Sequence, residues 1–290
     1  MLDGFSIDDW RLAPGRKPKL SARPTRVDPF YSNDDDYDDK LDELRSRISD
    51  QQDLLFADQR YGVLLIFQGM DTAGKDGAIK HVLRDLNPQG LESAAFASPS
   101  KQDLAHDFLW RTHQRAPARG KIGIFNRSYY EEVLTVRVHP QYLDKQNLPS
   151  EHLDRKRLWD DRLMDIANHE AYLHRQGYRI AKFYFHLSKK EQRERLLARM
   201  DDPKKNWKFD PADLEARSKW ASYMKAYEDC MVATGTKEGP WFVVPADDKK
   251  NARLIVAHII TDFLETIPAR FPRVSEEQKR QIQRARKILK

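Results

Sequence analysis

Five consecutive apolar residues, Val63-Leu64-Leu65-Ile66-Phe67, lead into Gly69-Met-Asp-Thr-Ala-Gly74-Lys75. No other stretch of this chain narrows the possible folds as far. An uninterrupted apolar run suits a strand covered on both faces, as in parallel sheets. The glycines allow a tight turn whose backbone N–H groups face a common point, and the spacing predicts a helix over 75–86. A strand, a G-x-x-x-x-G-K loop and a helix in that order make a phosphate cradle. The helix N-terminus favours negative charge and the lysine reaches the oxygens. Gly69, Gly74 and Lys75 are therefore candidate phosphate-binding residues.

The alternation continues along the chain. Further strands are predicted at 94–97, 122–125, 178–187 and 241–244, with helices at 103–116, 151–176, 211–233 and 251–267. Asp34, Asp35 and Asp36 precede Leu41, Leu44, Ile48 and Leu55 at helical spacing, and acids suit the positive end of such a helix. Strands alternating with helices predict an α/β fold, a parallel sheet covered by helices on both sides. Residues 1–30 lack periodicity and read as a loosely held arm, 31–268 as one domain, and 269–290 as a basic tail.

Composition removes several function classes. Of 290 residues 40% are hydrophobic, which is enough for a substantial core and excludes wholesale disorder. The single Cys230 excludes a disulfide framework or a cysteine-built metal site. No apolar run approaches the ~20 residues of a membrane span, and the N-terminus has no signal-peptide core. A soluble, cytoplasmic protein without membrane attachment is expected. The net charge is +6, and the segment from Arg270 onward, with eight basic and two acidic residues, accounts for all of it. Such a tail either attracts an anionic polymer or is an ordinary solvated terminus.

Two acids distinguish the loop. Asp71 lies inside it, and Asp76 stands where a hydroxyl residue usually follows the lysine. A carboxylate beside a polyanion is repulsive unless a cation intervenes or it takes a proton. Asp71 is thus a candidate for holding Mg²⁺ or for activating an acceptor phosphate, and Asp76 for the same task or for capping the first helical turn.

A phosphate-binding loop that does chemistry also gains from mobile positive charge that closes over its ligand. Arg195 and Arg199 lie four apart on one predicted helix face, and Lys204, Lys205 and Lys208 follow, interleaved with Trp207 and Phe209. They make a lid over about 189–215, or a solvated helix face with a lysine loop. Trp110 and Arg111 follow the second strand, where Arg111 meets an acceptor phosphate or Trp110 simply packs in the core.

The loop Gly69–Gly77, together with Asn126-Arg-Ser-Tyr-Tyr-Glu-Glu-Val-Leu134, Asn87-Pro88-Gln-Gly90, Ser98-Pro-Ser-Lys-Gln-Asp-Leu104 and Asp202-Pro-Lys-Lys-Asn-Trp-Lys-Phe209, resembles the family-2 polyphosphate kinases over about 30–268. The resemblance implies a P-loop kinase fold, a three-layer α/β/α sandwich with a helical lid. It implies phosphoryl transfer between inorganic polyphosphate and AMP or ADP, giving ADP or ATP, with Mg²⁺ or Mn²⁺, in a homo-oligomer (dimer or tetramer) without a specific nucleic acid partner. By the same resemblance Asp71 and Lys75 are the Walker A acid and lysine, and Asn126-Arg127 the Walker B segment. Arg127 would bind the polyphosphate or the transferring phosphoryl. Asn126 and Glu131 would serve the nucleotide with Trp110 and Arg111, and Glu131 with Glu132 marks the AMP/ADP-accepting branch. Two rivals share some of these features: an ATP-dependent nucleoside-monophosphate kinase, and a non-catalytic polyanion- or RNA-binding protein.

Overall fold

The computed structural model describes Leu2 and residues 4–289, so Met1, Asp3 and the tail's Lys290 lie outside the described residues. Five strands form the sheet: β1 (Gly62–Gly69), β2 (Leu91–Ala95), β3 (Ile122–Asn126), β4 (Tyr178–His186) and β5 (Trp241–Pro245). Their order is β2-β3-β1-β4-β5 and every pairing is parallel. The helices, in chain order, are α1 (Ile7–Trp10), α2 (Asp34–Asp58), α3 (Lys75–Val82), α4 (Lys101–Leu104), α5 (Trp110–His113), α6 (Thr135–Val138), α7 (Arg155–Arg175), α8 (Lys189–Asp201), α9 (Pro211–Ser218), α10 (Trp220–Thr234), α11 (Lys249–Glu265) and α12 (Glu276–Ile288).

The strands that read as continuous apolar runs are the buried ones. Val63, Leu65 and Phe67 of β1 point to one side with Phe183, Phe185, Phe242 and the inner face of α11, where α2 and α3 also pack. Leu64 and Ile66 point to the other, against Phe125, Tyr184, α7 and α10. The period of two along a strand thus feeds two cores, giving the expected three layers. β2 is the exposed edge, and it lies at Leu91–Ala95 rather than 94–97. Its Leu-Glu-Ser-Ala-Ala sequence has no apolar run, so periodicity does not locate it.

Three other expectations change. The helix expected over 103–116 is two single turns, α4 and α5, the first closed by a Ser100/Asp103 capping box. The helix expected over 211–233 breaks at Lys219 into α9 and α10. The arm is packed rather than loosely held: Trp10, Leu12 and Leu20 are buried, and Leu12 N–H donates to the Trp241 carbonyl at 2.9 Å along the β5 edge. Isolated anchors of that kind have no periodic signature. The acidic cluster does open α2, with Asn33 as N-cap. Among the described residues no helix is long and apolar enough to cross a membrane.

Candidate active site

The loop between β1 and α3 lies at the C-terminal end of the central strand. Gly69 (φ +152°) and Gly74 (φ +103°) both take backbone angles that L side chains rarely adopt, and a Cβ on Gly69 would stand 3.0 Å from the Phe185 carbonyl oxygen. Lys75 spans the loop, donating to the Gly69 carbonyl at 2.7 Å and the Met70 carbonyl at 3.2 Å. Burial holds its pKa below the usual lysine value, Arg127 adds to that effect, and Asp71 and Glu131 oppose it. A lysine whose charge is disfavoured this way gains most from an incoming anion.

Arg127 follows β3 in the left-handed region, φ +63°, with its N–H donating to the Phe67 carbonyl of β1. What holds the chain there is a closed polar cluster on the core side. Tyr129 Oη and Tyr130 Oη both donate to Glu170 Oε1, at 2.8 and 2.7 Å, and Glu170 pairs with the wholly buried Lys182 of β4. The next residues along the same turn face the cleft. Arg127 donates to Asp71 Oδ1 at 2.6 Å, and Glu131 with Asp71 raises the guanidinium pKa further.

The segment expected to form a lid begins with α8. Arg195 donates to the Thr72, Ala73, Ala246 and Asp247 carbonyls and to Glu191, so all its N–H groups are engaged in tying the loop to the end of β5. Arg199 instead donates to Asp213 Oδ2 at 2.8 Å. Asp213 also meets Asp71, and burial followed by the Asp71 charge raises its pKa from 3.8 to about 6. Loop and lid enclose a cleft of about 490 Å³ whose walls include Lys75, Arg127, Arg199, Lys205, Lys208 and Lys249. Lys204 is not on that wall. Trp207 is 77% exposed, with Lys208 Nζ 5.1 Å from its ring centre.

A second cavity of about 370 Å³ opens from the same Asp71–Arg127 pair toward Phe96, Arg111, Glu131 and Asp213. Arg111 lies over the Phe96 ring at 5.7 Å and donates to the Ala97 carbonyl. Trp110 lines neither cavity and stacks on His106, ring centres 3.9 Å apart. Asn126 Nδ2 donates to Asp76 Oδ1 at 2.7 Å, which joins the Walker B position to the first turn of α3. The structure therefore gathers Gly74, Asp71, Lys75, Arg127, Arg195, Arg199, Lys205 and Lys208 around one cleft, and Arg111 and Glu131 around its neighbour. It leaves Trp110 and Lys204 outside both, while Gly69 and Asn126 stand behind the first cleft, bonded to its Lys75 and Asp76.

Lys249 and Asp213, both on these walls, were not among the sequence candidates. Lys249 opens α11, and nothing local separates it from other surface lysines. Asp213 stands fourteen residues beyond Arg199 in a polar stretch, so its meeting with Asp71 is a product of lid folding. Among the described residues no three His, Cys, Asp or Glu side chains gather as a closed metal cage. The Asp71–Asp213 carboxylates are hard oxygen donors with a disfavoured like charge between them. That set fits Mg²⁺, which keeps several waters and takes only one or two protein carboxylates plus phosphate oxygens.

Comparison with known proteins gives a consistent result. The profile of the polyphosphate kinase 2 family matches residues 31–271. An ADP-polyphosphate phosphotransferase of Rhodopseudomonas palustris is 49% identical over 280 residues, covering 97% of each chain. An AMP/ADP-polyphosphate phosphotransferase of Meiothermus ruber is 41% identical over 229 residues, covering 79% of this chain and 81% of the relative. The crystal structure of polyphosphate kinase 2 from Arthrobacter aurescens superposes with a TM-score of 0.82 at 35% identity, covering 95% of each chain.

Proposed function

The chain belongs to the polyphosphate kinase 2 family, and from that premise we propose that it moves a terminal phosphoryl group between inorganic polyphosphate and ADP, giving ATP. The observation that carries this reading is the meeting of two cavities at one charged junction. The larger is walled by lysines and arginines and suits a polyanionic donor. The smaller holds Arg111, Glu131 and Phe96, the mixture of charge and apolar surface that a nucleotide needs.

In this reading the Gly69–Gly74 backbone, Lys75, Arg127, Lys205, Lys208 and Lys249 hold the donor phosphates, and Arg199 steadies the lid through Asp213. Arg111 meets the acceptor phosphate, with Glu131 on the nucleoside side. Asn126 orients Asp76. A divalent cation, Mg²⁺ or Mn²⁺, held by Asp71 and Asp213, would offset charge on the transferring phosphoryl. In-line transfer then needs positioning and charge compensation and no covalent enzyme intermediate. Assembly as a dimer or tetramer belongs to the same proposal and is read by light scattering.

The test is nucleotide chromatography after mixing protein, Mg²⁺ and long-chain polyphosphate with ADP or AMP, without ATP. ATP from ADP is the expected product. ADP from AMP would place the chain with the relative named for both acceptors, as the Asn126–Glu132 motif suggests. No product from either nucleotide would overturn the proposal.

A further inference from the structure

A second concentration of positive charge lies at the end of the sheet opposite the phosphate loop. Arg60 precedes β1, Arg119 precedes β3 and Arg179 begins β4, so all three stand at the N-terminal ends of adjacent strands. Arg179 and Arg60 both lie over the Tyr61 ring, 4.9 and 5.6 Å from its centre. Arg119 reaches across to the Gln176 carbonyl at 2.9 Å. Arg270 and Arg273 join them where the chain leaves α11, and a hollow of about 340 Å³ is lined by Asp58, Arg60, Arg270, Phe271, Pro272 and Arg273.

The one acid lining this hollow is already engaged: Asp58 offsets the charge of Arg60 and leaves that of Arg270 and Arg273 unmatched. The Asp58 carboxylate is only 1% exposed, gripped by Arg60 through two 2.6 Å contacts and by the Arg270 N–H at 2.8 Å. No ion pair to Arg119, Arg179, Arg270 or Arg273 occurs among the described residues. The chain then runs into α12, none of whose residues is buried and which carries Lys279, Arg280, Arg284, Arg286 and Lys287 against Glu276 and Glu277. Arginine recognises phosphate through paired N–H groups, and a dense row of them concentrates polyanions at the surface.

We propose that this arginine pole, with α12, is a second holding site for the phosphate chain of long polyphosphate, remote from the transfer site. The inference rests on the donor reading above. β1 has eight residues, so the two poles are about 25 Å apart at ~3.3 Å per residue. A tripolyphosphate reaches one of them, and a long chain reaches both. Holding the chain at the far pole raises its effective concentration at the loop without any new contact to the reacting phosphoryl. A phosphate chain fits better than RNA, because Phe271 is the one large aromatic exposed on the hollow and single-stranded RNA needs stacking surfaces.

Arg270→Gln/Arg273→Gln, with α12 left intact, is the test variant, since Arg60 is needed to cover Asp58. Its melting temperature should match the wild type. The KM for long-chain polyphosphate should rise about tenfold with kcat unchanged, while KM for tripolyphosphate stays put. The log–log salt slope of long-chain binding should fall by about one to two for the two charges removed. An unchanged long-chain KM, or an equal rise for tripolyphosphate, overturns the proposal. Binding of labelled long-chain polyphosphate is measured in parallel in a Lys75→Ala background, which needs no turnover. Weaker binding there on loss of the two arginines supports the pole even if the donor reading fails. Displacement of polyphosphate by an RNA homopolymer at lower concentration, or tighter binding to anionic vesicles, overturns the assignment of the ligand.

Discussion

The turn from Arg127 to Glu132 feeds two charged clusters that could hardly differ more. Tyr129 and Tyr130 close the core cluster, where Glu170 and Lys182 cancel one another, Lys182 also donates to the Thr234 carbonyl, and Trp241 Nε1 donates to Thr234 Oγ1. Arg127 and Glu131 face the open cluster, where Asp71, Asp213 and a wall of lysines leave unmatched charge beside a cleft. The closed cluster has every partner inside the protein and can only hold shape. The open one has more donors than internal acceptors and is stable only because solvent or a ligand completes it. Building both on one turn links the position of Arg127 to a buried, internally paired network.

The largest effect is expected in the core. Removing one member of the buried pair, as in Lys182→Met or Glu170→Ala, leaves an uncompensated charge and should cost about 3–5 kcal/mol in a urea melt. The double change Glu170→Leu/Lys182→Met should recover part of that. A Lys182→Met protein that melts like the wild type yet has lost turnover would erase the distinction between the clusters.

Lys75→Ala should do the converse. The expected loss is about 10²–10³ in kcat, the scale of removing one preorganised charge from a transfer site, with the melt nearly unchanged. Tyr130→Phe comes next. It deletes one hydrogen bond to a buried carboxylate and should cost about 1.5–3 kcal/mol of stability, with a smaller loss of kcat as Arg127 gains freedom.

The sequence was informative about these regions to unequal degrees, for physical reasons. The loop was legible because glycine, lysine and a following helix are demanded by backbone angles and charge at fixed spacing. β1, β3, β4 and β5 were legible because a strand buried on both faces is predominantly apolar. The core cluster was not, since Lys182 inside β4 and Glu170 inside α7 look like ordinary surface residues until the two elements pack. Asp213 was missed for the same reason. Trp110 shows the opposite failure: a large aromatic beside a useful arginine suggests a nucleotide platform, yet a one-turn helix directs it onto His106.

The smallest effect is the pH dependence, and it sharpens the comparison because the two sides carry opposite signs. Asp213, at the cleft, has its folded pKa raised from 3.8 to about 6, so its protonation favours the fold and adds stability as pH falls from about 6 toward 4. His169, beside Tyr129 on the core side, has its pKa lowered from 6.5 to about 4, chiefly by burial and then by His113. Its protonation favours the unfolded chain, so it removes stability as pH falls through the same window. In the metal-free wild type the two partly cancel. Asp213→Asn should therefore lose stability on acidification from pH 6.5 to 4 more steeply than the wild type, and His169→Phe less steeply. Turnover separates them further. Protonated Asp213 is a poor cation ligand, so kcat/KM at subsaturating Mg²⁺ should fall below about pH 6, and raising Mg²⁺ should push that limb to lower pH. Asp213→Asn should be less active and should lack the limb, while His169→Phe should keep it. A limb that survives in Asp213→Asn would move the titrating group, and the cation with it, away from the lid.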